Sequence, residues 1–185
     1  SSSSDKIEMV WWIPDEFWEE SFKSDPTMKK EDIDEWINIV SDYSVFLVLS
    51  GDIGSFGQIS YKSEKLIHKN ISLKDRYGKR YYPLSKNEID YETEYLLGVM
   101  HQVLSSMIGS MGENMSWSIF NRNNHKEERL IDPYSSGGFT VSLFTEDYKF
   151  KCPLGSLMPT KFCPIDNEEL NGAWKYCPLH GKKLK

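Results

Sequence analysis

The sequence predicts an α+β protein: a mixed or antiparallel sheet with two to three helices, closed by a small cysteine-bearing hairpin. Three observations predict it. Phe139–Phe144 alternates apolar and polar residues, the period of a half-buried strand. Between Asp90 and Ile108 the apolar residues recur at helical spacing. Near the end, two cysteine-proline units flank an Asn-Gly dipeptide.

In chain order, residues 1–6 read as a disordered tip, because Ser-Ser-Ser-Ser offers nothing to bury. Ile7–Ile13 is apolar and β-prone and stops at Pro14. Asp15–Phe22 reads as a short helix with Phe17, Trp18 and Phe22 on its apolar side. A second helix follows Pro26, with Thr27 as N-cap, acids in the first turns, and Ile33, Trp36, Ile37 and Val40 at helical spacing. Ser44–Leu49 is a short apolar run and reads as a buried strand. Gly51, Gly54 and Gly57 make a turn after it. Ile59–Lys62 and Lys65–Leu73 are strand-like, Asp75–Lys79 is a turn, and Arg80–Leu84 returns as a strand.

Asp90 can cap a long helix whose stripe is Leu96, Met100, Val103 and Met107, widened by Leu97, Val99 and Leu104. Gly109 and Gly112 end it. Met115–Asn121 alternates as a strand, and Asn121–Arg129 is a polar loop. A turn at Thr145–Asp147 pairs Phe139–Phe144 with Tyr148–Cys152 as a hairpin. The expected organisation is a tip over 1–6, an α+β domain over 7–158 and an appendage over 159–185.

Composition narrows the function classes. Residues 1–60 carry thirteen acids and four bases, whereas 61–185 carry fifteen acids and eighteen bases, within a net charge of −6. An acidic first third repels phosphate backbones. Seven lysines against three acids from Lys149 onward leave a local basic patch at the tail. An apolar run near the length of a membrane span is missing from the sequence. Three cysteines make an odd count, which argues against a disulfide framework and for metal ligands in a reducing compartment, hence a cytoplasmic location.

The cysteine units carry the clearest chemistry. Cys163-Pro-Ile-Asp166 precedes Asn167, and Cys177-Pro-Leu-His180 precedes Gly181. Each places two ligand-capable side chains three positions apart, then a residue that tolerates left-handed geometry, so both side chains of one tight turn reach a single ion. Asn171-Gly172, between Glu169-Leu170 and Ala173-Trp174, predicts a hairpin turn that would bring the units face to face. The segment 163–181 resembles a zinc ribbon, whose pattern is two Cys-Pro-x-Cys-Gly knuckles; the spacer here is shorter. The resemblance implies a structural Zn2+ held by Cys163, Asp166, Cys177 and His180. Cys152 is the rival fourth ligand: thiolate softness favours Cys152, and knuckle symmetry favours Asp166.

Elsewhere the residues favour scaffolding. Gly51-x-x-Gly54-x-x-Gly57 lacks the spacing of a phosphate loop. Asp15, Glu16, Glu19 and Glu20 read as the solvated face of an amphipathic helix. His68, His101 and His125 stand isolated in the sequence and read as packing or surface. The expected function is therefore a non-catalytic zinc-binding protein that acts as a protein–protein interaction module, such as an acidic, immunity-type binder that neutralises a basic partner. Two alternatives are a nucleic-acid-binding ribbon using Lys175, Lys182, Lys183 and Lys185, and a zinc-dependent enzyme with an open site.

Overall fold

The computed structural model describes residues 5–23, 29–124 and 126–185, with side chains from 29 onward and over 5–20. Its elements run β1 (Lys6–Ile13), α1 (Asp15–Lys23), α2 (Lys30–Val40), β2 (Tyr43–Ile53), β3 (Ile59–Tyr61), α3 (Glu64–Asn70), β4 (Ile71–Lys74) and β5 (Arg80–Tyr81). They continue with α4 (Tyr91–Ile108), α5 (Ser110–Glu113), β6 (Ser116–Asn121), β7 (Gly137–Leu143), β8 (Glu146–Cys152), β9 (Lys161–Phe162) and β10 (Glu169–Leu170). The class is α+β, and all the pairings are antiparallel.

The long strand β2 organises the first sheet. β1 covers one edge of it in register from Lys6↔Asp52 to Ile13↔Val45. The other edge is shared, β6 taking residues 43–48 and β3 taking 51–53. A second sheet runs β5-β4-β7-β8. Side chains alternate across a strand, so β2 feeds two cores. Phe46 and Val48, with Val10 and Phe120, face the second sheet and meet Ile71, Leu73, Phe139, Val141 and Leu143. Val45, Leu47 and Leu49 face the helices and meet Leu97, Leu104 and Trp117. Trp12 of β1 meets Phe139 of β7 edge-on at 5.0 Å and joins the two sheets, while Phe139 stacks on its cross-strand partner Phe150 at 4.6 Å within the second sheet. A run of apolar residues without alternation is what a strand buried on both faces requires, so Ser44–Leu49 reads correctly, although the strand extends to Ile53.

α4 lies over the helix-side face of this sheet. Asp90 caps it as expected, accepting from the Thr93 N–H at 2.8 Å. Trp117 Nε1–H donates to the Leu97 carbonyl at 2.9 Å, pinning helix to strand. The burial differs from the expected stripe. Thr93 and Leu97 are buried, whereas Val99, Val103 and Met107 are exposed. A helix with apolar residues on most of its circumference has no single face that its periodicity can select, and the sheet covers only one. Gly98, in mid-helix, weakens α4 by about 1 kcal/mol relative to alanine, and a Cβ there would meet nothing within 4 Å.

Two further expectations change. Lys65–Leu73 is not one strand: Glu64–Asn70 is helix α3, and only Ile71 onward pairs. Ser63 is the N-cap of this helix, its hydroxyl accepting from the Leu66 N–H at 3.4 Å. Arg80–Leu84 pairs only over Arg80–Tyr81. Five α-helices are present among the described residues, more than the two to three expected; the additional ones include α3 and α5, of seven and four residues. Thr27 and the Phe22 side chain lie outside the described residues.

The Asp90 cap makes a stability test. Partial burial pushes the Asp90 carboxyl up, but donors from Thr93 and Tyr43 outweigh it and hold the group below the usual range. Its contribution is therefore present above about pH 4 and lost as pH falls through the lowered value. Asp90→Ala is expected to cost about 1 kcal/mol in urea unfolding at neutral pH. The difference from wild type should shrink below pH 4; a constant difference across that range would show that the cap acts without its charge.

Candidate metal centre

The C-terminal segment builds two small hairpins. In the first, β9 pairs with β10 and residues 163–168 form the turn. In the second, Tyr176 bridges Lys183 and residues 177–182 form the turn. The two turns share one hydrogen-bond pattern. Cys163 N–H donates to the Glu168 carbonyl and Asn167 N–H returns to the Cys163 carbonyl, both at 2.9 Å. Cys177 N–H donates to the Lys182 carbonyl and Gly181 N–H returns to the Cys177 carbonyl, both at 2.8 Å. Asn167 and Gly181 hold φ at 61°, the left-handed geometry anticipated at both positions.

The predicted Asn171-Gly172 hairpin is absent. Asn171 instead makes an Asx turn, its Oδ1 accepting from the Ala173 N–H at 2.9 Å. Gly172 is needed for close packing, since a Cβ there would sit 2.5 Å from the Pro159 carbonyl oxygen. The knuckles meet because each is the tip of its own hairpin and both lean on a shared core of Cys163, Leu170, Cys177 and Leu184.

That arrangement brings Cys163, Cys177 and His180 together, their ligand atoms all within 4.8 Å of one another. His180 Nδ1 is 3.3 Å from Cys163 Sγ and 3.6 Å from Cys177 Sγ. A tetrahedral ion with sulfur at about 2.3 Å and imidazole nitrogen at about 2.1 Å sets sulfur–nitrogen edges of about 3.6 Å. The residues therefore fit a metal ion. Backbone N–H groups of Ile165 and His180 point at the two sulfurs at 3.5 and 3.4 Å, a donor set that suits thiolates. All three cysteines are free of disulfide bonds.

Asp166 stands beside this trio, in the first knuckle's counterpart of the His180 position. Its Oδ1 accepts from the Glu168 N–H at 3.1 Å, and its Oδ2 lies 3.6 Å from His180 Nδ1. The Cys163 thiol beside it holds the carboxyl below its usual range. Cys152 lies elsewhere, opposite Gly137 at the end of β8, packed against the aromatic core between the sheets. Burial pushes the Cys152 thiol up, as expected of an inert core sulfhydryl.

Other singled-out residues acquire structural partners. Asp15 pairs with Arg122 and Arg129, and Arg129 forks onto Glu16 at 2.8 and 3.2 Å. These acids tie α1 to the loop after β6 and are not a solvated pair. His68 and His101, isolated in sequence, line one cavity of about 660 Å³ between α3 and α4. No local pattern announces it, because α3 and α4 come from different parts of the chain. A second cavity of about 500 Å³ is lined by Trp11, Phe17, Trp18, Met100, Leu104 and Trp117.

No protein-family model, curated protein or solved structure matches the chain. The helices among the described residues include none long and apolar enough to cross a membrane.

Metal analysis of purified variants tests the centre. The chain is expected to carry one ion, and Cys177→Ala to lose it. Asp166→Ala should keep the three tight ligands and bind more weakly, and Cys152→Ala should match wild type. Full metal retention by Cys177→Ala would remove the site, and loss on Cys152→Ala would replace Asp166 by Cys152.

Proposed function

We propose that this is a non-catalytic zinc protein whose helical layer binds a basic protein partner. Thiolate and imidazole donors in a tetrahedral arrangement favour Zn2+. Cys163, Cys177 and His180 hold it, with Asp166 as the fourth ligand, and the role is structural. The two hairpins resemble a zinc ribbon in having knuckles at their tips, and the ion joins tips that otherwise share only a four-residue core. Free thiols agree with a cytoplasmic setting.

One observation carries the binding role. The outer side of α4 exposes Tyr91, Tyr95, Val99, Val103 and Met107 at four-residue intervals. α2 lies alongside, tied by the Thr93 hydroxyl donating to the Ile39 carbonyl at 3.0 Å. Its Glu31, Asp32, Asp34 and Glu35 are all exposed. Apolar anchors edged by acids suit a basic protein surface: the anchors supply affinity and the charge supplies rate and selection.

A second reading rests on the outward side of the second sheet. Lys74 and Arg80 pair in register there, with Lys149 opposite Thr140 and Lys151 opposite Gly138. This basic side would suit a nucleic acid. A zinc enzyme needs an open coordination position, which Asp166 closes in the preferred assignment.

Recovery of partners from the source lysate separates these readings, using wild type and the surface variant Val103→Glu/Met107→Glu. The interaction reading expects one basic protein that survives nuclease, weakens at high salt and falls at least tenfold with the variant. Recovery that ignores both salt and the variant would overturn it. Recovery abolished by nuclease would transfer the function to the basic sheet.

A further inference from the structure

Apolar side chains gather in water at two places, and the charge around them is opposite. The first place is the outer side of α4, with Tyr95, Val99, Val103 and Met107 exposed. The second is the hairpin of the second knuckle, where Trp174, Tyr176 and Leu179 are exposed within six positions. Leu179 stands between Cys177 and His180 in the turn. Large apolar side chains grouped on one small element mark an interaction surface, unlike singly scattered ones. Both places are exposed in the same chain, so the hairpin does not cover its own α4.

The charges decide what can cover each. Glu31, Asp32, Asp34 and Glu35 on α2 and Glu92 and Glu94 on α4 are exposed. Lys29, Lys30 and Lys86 are exposed beside them, Lys86 lying 3.9 Å from Glu94, so the helical layer stays acidic. From Asn171 to Lys185 the chain has no acid, and Lys175, Lys182, Lys183 and Lys185 are all exposed. The acids nearest in sequence, Asp166, Glu168 and Glu169, belong to the first hairpin, and Asp166 turns toward His180. A two-fold contact of α4 on α4 would set acids against acids, and hairpin on hairpin would set lysines against lysines. Pairing the unlike surfaces sets lysines against acids and covers apolar side chains on both.

We propose that the second knuckle hairpin of one copy of this chain docks on the helical layer of another, head to tail. Trp174, Tyr176 and Leu179 cover part of the α4 row, and the lysines face the acids of α2. This docking rests on the partner-binding reading of that layer and adds its regulation. A neighbouring copy occupies the surface that a basic partner must take, so self-association and partner binding compete. Charges this exposed give a weak contact that salt weakens further. Each dimer still carries one free surface of either kind, so assembly continues past two copies unless a ring closes.

Sedimentation of the purified full chain over a concentration series, at low and high salt, tests the docking. Wild type is expected to self-associate at low salt, and high salt to weaken the association about tenfold or more. Val103→Glu/Met107→Glu removes the receiving surface and Lys175→Glu/Lys182→Glu the inserting one, so each variant is expected to be monomeric. Metal content equal to wild type checks that the knuckles of both variants are intact. Each variant keeps the surface that the other lacks, so their mixture is expected to give a one-to-one dimer and nothing larger. A mixture that stays monomeric, or wild-type association indifferent to salt, would overturn the docking. Association that survives Lys175→Glu/Lys182→Glu but not the α4 variant would replace it by α4-on-α4 pairing. Wild type that is monomeric at every concentration would overturn it too; if that monomer still recovers a basic protein from lysate, the partner-binding reading stands without it.

Discussion

Burial of β2 on both faces is the constraint on which the rest depends. Every residue from Ser44 to Gly51 is removed from water, so each face must be covered by a separate layer. The second sheet covers one face through Phe46 and Val48, and α4 covers the other through Val45, Leu47 and Leu49. The polar groups enclosed with them are answered locally. Glu8, on the sandwich side, accepts from Tyr148 at 2.8 Å and from Ser50 at 3.2 Å. Stacking three layers on one strand also sorts the charge. Glu31, Asp32, Asp34 and Glu35 lie on α2, and Lys74, Arg80, Lys149 and Lys151 lie on the opposite outer side.

The metal centre obeys a different logic. A segment of fewer than thirty residues has too little apolar surface to fold by burial alone, and its core is four side chains. Local turn hydrogen bonds and a cluster of side chains that could hold an ion stand where a larger core would, and their information is concentrated in short motifs. Cys-Pro-x-[Asp/His] followed by Asn or Gly places two ligand-capable side chains around a turn within five residues. The backbone hydrogen bonds within each knuckle are local, so this geometry could be read before any tertiary structure. Asn171-Gly172 was misleading for the converse reason. The same dipeptide serves a hairpin turn or a close approach, and the approach of Pro159 comes from outside the local segment.

Elsewhere, legibility followed the range of the deciding interaction. β1, β2, β6, β7, β8 and the Asp90-capped helix were readable, because alternation, an unbroken apolar run or a cap is a near-neighbour property. Lys65–Leu73 reads as one strand because its apolar content suits either state; its first half is a helix that Ser63 caps and that buries Ile67. The stripe of α4 was misplaced because apolar residues surround most of that helix. Asp15 and Glu16 looked solvated because Arg122 and Arg129 lie more than a hundred residues away.

By itself, then, the sequence determined the α+β class, most of the strands, and two cysteine knuckles with their left-handed positions. These are set by periodicity, capping and turn chemistry, which act over a few residues. Only the tertiary structure decided which side of α4 is buried, that Cys152 packs against the core between the sheets while Cys163, Cys177 and His180 converge, and that His68, Gly98 and His101 share a cavity. Those facts depend on which distant segments pack together, and packing is the outcome of all the burial terms at once rather than of any one stretch of chain.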